Sequence, residues 1–132
     1  HSSVLITSRV MEDSELKELV PASDIVINTT PVGMHPHVED CLVPEALFSE
    51  RHLVFDIIYN PAKTLLLQRA ENRGARVING IPMFVYQGAE QFRLWTGTEP
   101  PAAITSGSSC QWFLNRSLGR QSPGIFWKPS SS

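Results

Sequence analysis

The chain has 132 residues, 42% hydrophobic and 18% charged, with a formal charge of −2, which suits one globular domain and argues against charge-driven disorder. No uninterrupted apolar run approaches the roughly 18 residues that span a bilayer, and Cys41 and Cys110 form neither a C-x-x-C pair nor a disulfide framework. A membrane protein, a secreted disulfide scaffold and a zinc finger are therefore set aside, His1-Ser2-Ser3 has no signal-peptide layout, and a reducing, cytoplasmic setting is expected.

In chain order, residues 4–7 are predicted as a short strand and residues 14–20 as a short helix behind the acidic start Glu12-Asp13. Residues 24–28 (DIVIN) are apolar on both faces, as a strand covered by helices on each side would be. Residues 53–58 (LVFDII) read the same way, and Arg76–Ile78 is a shorter third case. Between them, residues 64–73 are predicted helical, with Thr64 as N-cap, Arg73 in the last turn and Gly74 just past the end. Residues 83–95 form the longest helical candidate. No internal repeat appears at periods of 20 to 50 residues. Strands alternating with helices imply a parallel sheet and an α/β class.

Ligands of open α/β sheets bind outside the carboxyl ends of the strands. Here the first run ends in Asn28-Thr29-Thr30-Pro31, the second in Tyr59-Asn60-Pro61 and the third in Asn79-Gly80. Turn chemistry explains Asn, Pro or Gly at any one strand end. Three successive ends bearing amides, hydroxyls and a glycine point to a binding edge. Asp56, inside an apolar run, is read as a buried carboxylate with a hydrogen-bonded structural partner, the alternative being a general base.

Met83, Gln87 and Gln91 stand at i, i+4 and i+8, so they form one stripe, with Val85, Ala89 and Phe92 as the core-facing one. A thioether beside two amides suits a cleft wall, although glutamines also suit a solvent-facing stripe. Gly88 in mid-helix hints at close packing by a neighbour. His35-Pro36-His37 with Glu39, Asp40 and Cys41 gathers metal-capable atoms, but Pro36 and the lack of a second cluster argue against a metal site.

Composition breaks near residues 103–106. Residues 1–105 carry 8 basic and 13 acidic side chains, whereas 106–132 carry Arg116, Arg120 and Lys128, no acid, and 8 serines. Residues 1–105 are read as the folded domain and 106–132 as an irregular tail, foreign in composition. Three cations make no nucleic-acid footprint.

Three stretches, DIVINTTPVGM at 24–34, VFDIIYNP at 54–61 and GIPMFVYQGAEQF at 80–92 followed by LWTG at 94–97, resemble the C-terminal, cofactor-binding half of shikimate dehydrogenase, in order and spacing. The resemblance implies an incomplete Rossmann-like parallel sheet with flanking helices. It implies an oxidoreductase that reduces 3-dehydroshikimate to shikimate with NADPH, on the route to chorismate and the aromatic amino acids. By resemblance Asn28, Thr29 and Thr30 line the adenosine and nicotinamide-ribose side of NADP. Ile58 and Tyr59 then lie near the nicotinamide and substrate, Gly80 offers its carbonyl to the carboxamide, Met83 packs on the ring, and Gln87 bonds the substrate. Arg9, just past the first predicted strand, takes the place where an Arg suits the 2′-phosphate of NADP; an ordinary solvated Arg is the alternative. The family's G-x-G-x-x-G turn and its N-terminal domain with a catalytic Lys–Asp pair have no counterpart in these residues, so no catalytic residue is assigned and the isolated chain is expected to be inactive. Two alternatives stay open: a quinate/shikimate dehydrogenase using NAD, and a non-catalytic ligand-sensing module on the same fold.

Overall fold

The structure, a computed structural model, describes residues 4–101. Helix α1 (Asp13–Ala22) opens with Asp13 and Glu15 in its first turn, where acidic side chains meet the positive end of the helix dipole. It ends past Pro21, with the Ser23 hydroxyl donating to the Leu19 carbonyl at 2.7 Å. Strands β1 (Ile25–Asn28), β2 (Leu53–Asp56) and β3 (Arg76–Ile78) form one sheet in the order β1-β2-β3, all parallel. Parallel pairing needs a long crossover each time. Residues 29–52, with a short 3-10 turn at Glu45–Leu47, supply the first. Helix α2 (Leu65–Asn72) lies within the second. Helix α3 (Ile81–Thr96) follows β3 directly.

Helix α2 has the predicted ends. The Thr64 hydroxyl accepts from Leu67 N at 3.4 Å, and Gly74 stands just beyond the last turn at φ +81°, a conformation that L side chains rarely adopt. In α3, Arg93 bonds Glu90 and Glu99, and the Glu99 hydrogen bond raises the guanidinium pKa above its ordinary value.

The register puts Val26, Val54 and Val77 on one face, with Asn28 and Asp56 further along it. That face is buried. Val54 joins Val20 of α1, Leu66, Leu67 and Ala70 of α2, and Phe48 from the crossover in one core cluster. Burying a side chain of this size contributes about 1.5–3 kcal/mol each, which makes this cluster the main support of the sheet.

Two expectations are corrected. Residues 24–28 were expected to be covered on both faces, but Ile25 and Ile27 are 57% and 54% exposed, and Ile78, beside Phe55 on the same face, is also exposed. The reason is that α1 and α2 pack on the valine face, while α3 packs through Ile81 and Val85 against Ala62. Residues 4–7 form no strand: Val4, Leu5 and Ile6 are 83–87% exposed. A strand is defined by its ladder, and no described strand lies alongside this segment. The expected tail, 106–132, lies outside the described residues. Among the described residues no helix is long and apolar enough to cross a membrane.

Candidate functional site

Because the three strands are parallel, their carboxyl ends share one edge. Asn28 and Asp56 are register partners where β1 and β2 end. The Asn28 Nδ2 donates to Asp56 Oδ1 at 3.1 Å and weakly to the Val32 carbonyl at 3.4 Å. Its Oδ1 accepts from Thr30 N at 3.1 Å and Thr30 Oγ1 at 2.8 Å, an Asx turn that folds the chain back as it leaves the sheet. Thus the Asn28 amide is consumed within the protein.

Asp56 is fully buried and acts as a pure acceptor. Its Oδ1 also takes Ile58 N at 3.1 Å, and its Oδ2 takes Thr64 Oγ1 at 2.6 Å. A carboxylate has no proton to place, so it can satisfy three donors converging from three segments. The structural reading of Asp56 thereby holds, and Thr64 has a double duty, capping α2 and bonding Asp56. Sequence reasoning found the cap but missed the second bond. The signal was an Asn at the end of one strand in register with an Asp in the next, eight residues before an N-cap threonine.

The remaining assigned residues fall into four groups, with Arg9 apart from them. Thr29 and Thr30 line, with Asn28, an apolar cavity of about 220 Å³ beside β1, whose wall includes Met11, Leu16, Val26 and Leu66. Ile58, buried, and Gly80 are joined directly, Gly80 N donating to the Ile58 carbonyl at 3.0 Å. A Cβ on Gly80 would stand 2.0 Å from the Ile57 carbonyl oxygen, so only glycine allows the chain leaving β2 and the chain leaving β3 to meet here. The Gly80 carbonyl accepts from Phe84 N at 2.9 Å and keeps one lone pair for a further donor. Tyr59, 43% exposed, stacks on Phe84 with ring centroids 4.7 Å apart, a partner the sequence pattern did not flag. Met83 is half-buried in the first turn of α3 and Gln87, one turn on, is exposed; Val85 and Ala89 are buried as expected for the core-facing stripe.

Arg9 is not drawn into this edge. It follows no strand, and its guanidinium lies 3.4 Å from Glu15 of α1. Gly88 has no atom within 4 Å of where a Cβ would stand, so the close neighbour expected there is not found among the described residues. Nor do three His, Cys, Asp or Glu side chains come together among them.

A parallel sheet flanked by helices, with turns from all its strands at one carboxyl edge, defines an α/β domain of the Rossmann-like kind. Residues 80–105 match the family model for the shikimate 5′-dehydrogenase C-terminal domain. A shikimate dehydrogenase (NADP+) of Methanosarcina mazei is 52% identical over 91 residues, covering 69% of this chain and 32% of the relative. The solved Listeria monocytogenes shikimate 5-dehydrogenase, in complex with shikimate and NAD, is 35% identical with a TM-score of 0.66, covering 75% of this chain and 35% of that one. The Thermus thermophilus enzyme, in complex with NADP(H) and shikimate, is 32% identical with a TM-score of 0.63, covering 78% and 37%. The chain matches the C-terminal portion of shikimate dehydrogenases. It spans about one third of the length of the curated relatives it matches.

Proposed function

We propose that this chain is the cofactor-carrying part of an NADP-dependent shikimate dehydrogenase that reduces 3-dehydroshikimate to shikimate in the cytoplasm. The observation that carries the reading is the convergence of Thr29-Thr30, Ile58-Tyr59 and Gly80 on one carboxyl edge, in a chain 52% identical to an NADP+-named relative. The described residues fit the two ends of a dinucleotide. The cavity beside Thr29 and Thr30 is smaller than the roughly 300–1,000 Å³ of sites that enclose a whole ligand, and suits one ring system. The free lone pair on Gly80 suits an amide donor, and Ile58 and Met83 supply apolar atoms near it. For the pyrophosphate, no glycine-rich turn at a helix N-terminus is present among the described residues.

The nicotinamide, when bound, supplies the hydride to the substrate carbonyl carbon. The chain's own part is positional. Thr29 and Thr30 hold the adenosine side, Asn28 shapes their turn, and Ile58, Gly80 and Met83 hold the ring side. Tyr59 and Gln87 face shikimate, with Tyr59 steadied by its stack on Phe84. Arg9 would leave Glu15 to meet the 2′-phosphate; the exposed pair between them holds it by only about 0–1 kcal/mol.

The test is a chimera in which residues of this chain replace the corresponding segment of the M. mazei enzyme. NADPH-dependent reduction of 3-dehydroshikimate is expected, and Arg9→Ala should lower the preference for NADPH over NADH. A chimera that folds and binds shikimate yet turns over with neither cofactor would point instead to a ligand-sensing module. Equal use of NADH by the unaltered chimera would favour the NAD alternative.

A further inference from the structure

Beyond the ladder, the two turns that flank the cleft have no strand register to hold their spacing. The last register pair is Asn28 with Asp56, and the last ladder-type bond is Ile57 N to the Asn28 carbonyl at 3.1 Å. Past that point one turn carries Thr29 and Thr30, the other Ile58 and Tyr59. A backbone link further out, His35 N to the Asn60 carbonyl at 3.2 Å, ties the outer parts of these loops. At the root of both turns stands the Asp56 carboxylate.

We propose that Asp56 is a positioning residue: through Asn28 on one side and Ile58 N on the other, it sets the width of the cleft between the Thr29-Thr30 turn and the Ile58-Tyr59 turn. The proposal rests on the reading above, in which these turns hold opposite ends of the cofactor and the substrate. Four observations support it. The path Thr30 to Asn28 Oδ1, Asn28 Nδ2 to Asp56 Oδ1, and Asp56 Oδ1 to Ile58 N is continuous, each step between 2.8 and 3.1 Å. All its polar atoms on Asn28 and Asp56 are already paired, so neither side chain has an idle group to turn toward a ligand. Both residues are buried, which shields the path from water. Oδ2 accepts from Thr64, the N-cap of α2, so the carboxylate cannot rotate without losing that bond as well. A purely structural tie to α2 would need Oδ2 alone; the Oδ1 bonds serve the two turns.

The experiment separates the arms of the carboxylate. Asn28→Asp keeps the acceptor for Thr30 but sets two carboxylates against each other, breaking the link between turns. Thr64→Val breaks the link to α2 together with the Leu67 cap bond, and leaves the Oδ1 bonds in place. In NMR spectra of the 132-residue chain, Asn28→Asp is expected to move the Ile58 and Tyr59 amides. Reciprocally, Asp56→Asn moves Thr30, and Thr64→Val moves Leu67 most. In the chimera, Asn28→Asp should lower kcat about tenfold or more while changing the KM for NADPH by less than about threefold, because misplacement of bound groups costs rate before affinity. Thr64→Val, which lowers thermal stability, should reduce kcat less. Loss of kcat only in proportion to loss of fold overturns the proposal. If the unaltered chimera is inactive, the functional reading fails, and the reciprocal amide shifts alone decide whether Asp56 couples the turns; their absence overturns the coupling as well.

Discussion

At the scale of single residues, the site is built from atoms that are already spoken for. Gly80 is the tightest case, since a methyl group there meets the Ile57 carbonyl at 2.0 Å and the Ile58 carbonyl at 2.8 Å. Backbone cannot step aside as a flexible side chain can. Gly80→Ala should therefore destabilise the chain by about 1–3 kcal/mol or more, as overpacking does, read from urea unfolding. An unchanged midpoint would show that the segments after β2 and β3 do not meet there. Gln87 is the opposite case, exposed on α3 and free to reach a ligand. In the chimera, Gln87→Ala should weaken shikimate handling by about 0.5–1.5 kcal/mol, one hydrogen bond's worth, with stability unaltered. Identical kinetics for shikimate would remove Gln87 from the substrate side.

At the scale of elements, α2 and α3 differ in what holds them. Helix α2 is capped by Thr64, buries Leu66, Leu67 and Ala70, and is tied to the sheet through Asp56. Helix α3 buries a narrower stripe of Ile81, Val85 and Ala89, leaving Tyr86, Leu94 and Trp95 exposed. Gly88 sits in its exposed middle with open space where a Cβ would go. Gly88→Ala should stabilise the isolated chain by about 0.5–1 kcal/mol, the usual gain of Ala over Gly in a helix. A loss of stability in the same unfolding experiment would reveal a neighbour at that position. Both helices were legible in the sequence, α2 from its cap and stop signals and α3 from its apolar period. The hint of close packing drawn from Gly88 was not, because a glycine reports a close neighbour only where one exists.

At the scale of the molecule, one sheet face is packed and the other presents Ile25, Ile27 and Ile78 to water. Exposed apolar atoms in a contiguous patch favour association. The 132-residue chain should self-associate as concentration rises, and Ile27→Thr, which keeps a β-branched side chain, should reduce that association in analytical ultracentrifugation without unfolding the sheet. Concentration-independent monomer for the unaltered chain would contradict this. The isolated chain should also fail to turn over 3-dehydroshikimate with NADPH. Among its described residues there is neither a glycine turn for the pyrophosphate nor a Lys–Asp ion pair for proton transfer. Positioning of a second reactant can account for about 7–11 kcal/mol of a barrier, so a measurable rate from this chain alone would contradict the division of labour proposed.

The strands at 53–56 and 76–78, the helix ends at Thr64 and Gly74, and the sharing of one edge by three strand ends were all readable from apolar runs and turn residues. Such signals are local, and parallel order follows from strands that alternate with helices. The sequence by itself also pointed to the C-terminal portion of shikimate dehydrogenases, because three motifs recur in order and spacing. Tertiary structure decided the rest. Residues 4–7 have a strand's composition but no ladder beside them, since a strand exists only through hydrogen bonds to a neighbour that local sequence does not specify. Ile25 and Ile27 look like core residues, yet which face is covered depends on where α1, α2 and α3 come to rest. Asp56 could be read as buried but not as shared among Asn28, Ile58 and Thr64, because those partners stand 28, 2 and 8 residues away and meet only when the register of β1 on β2 brings them to one carboxylate.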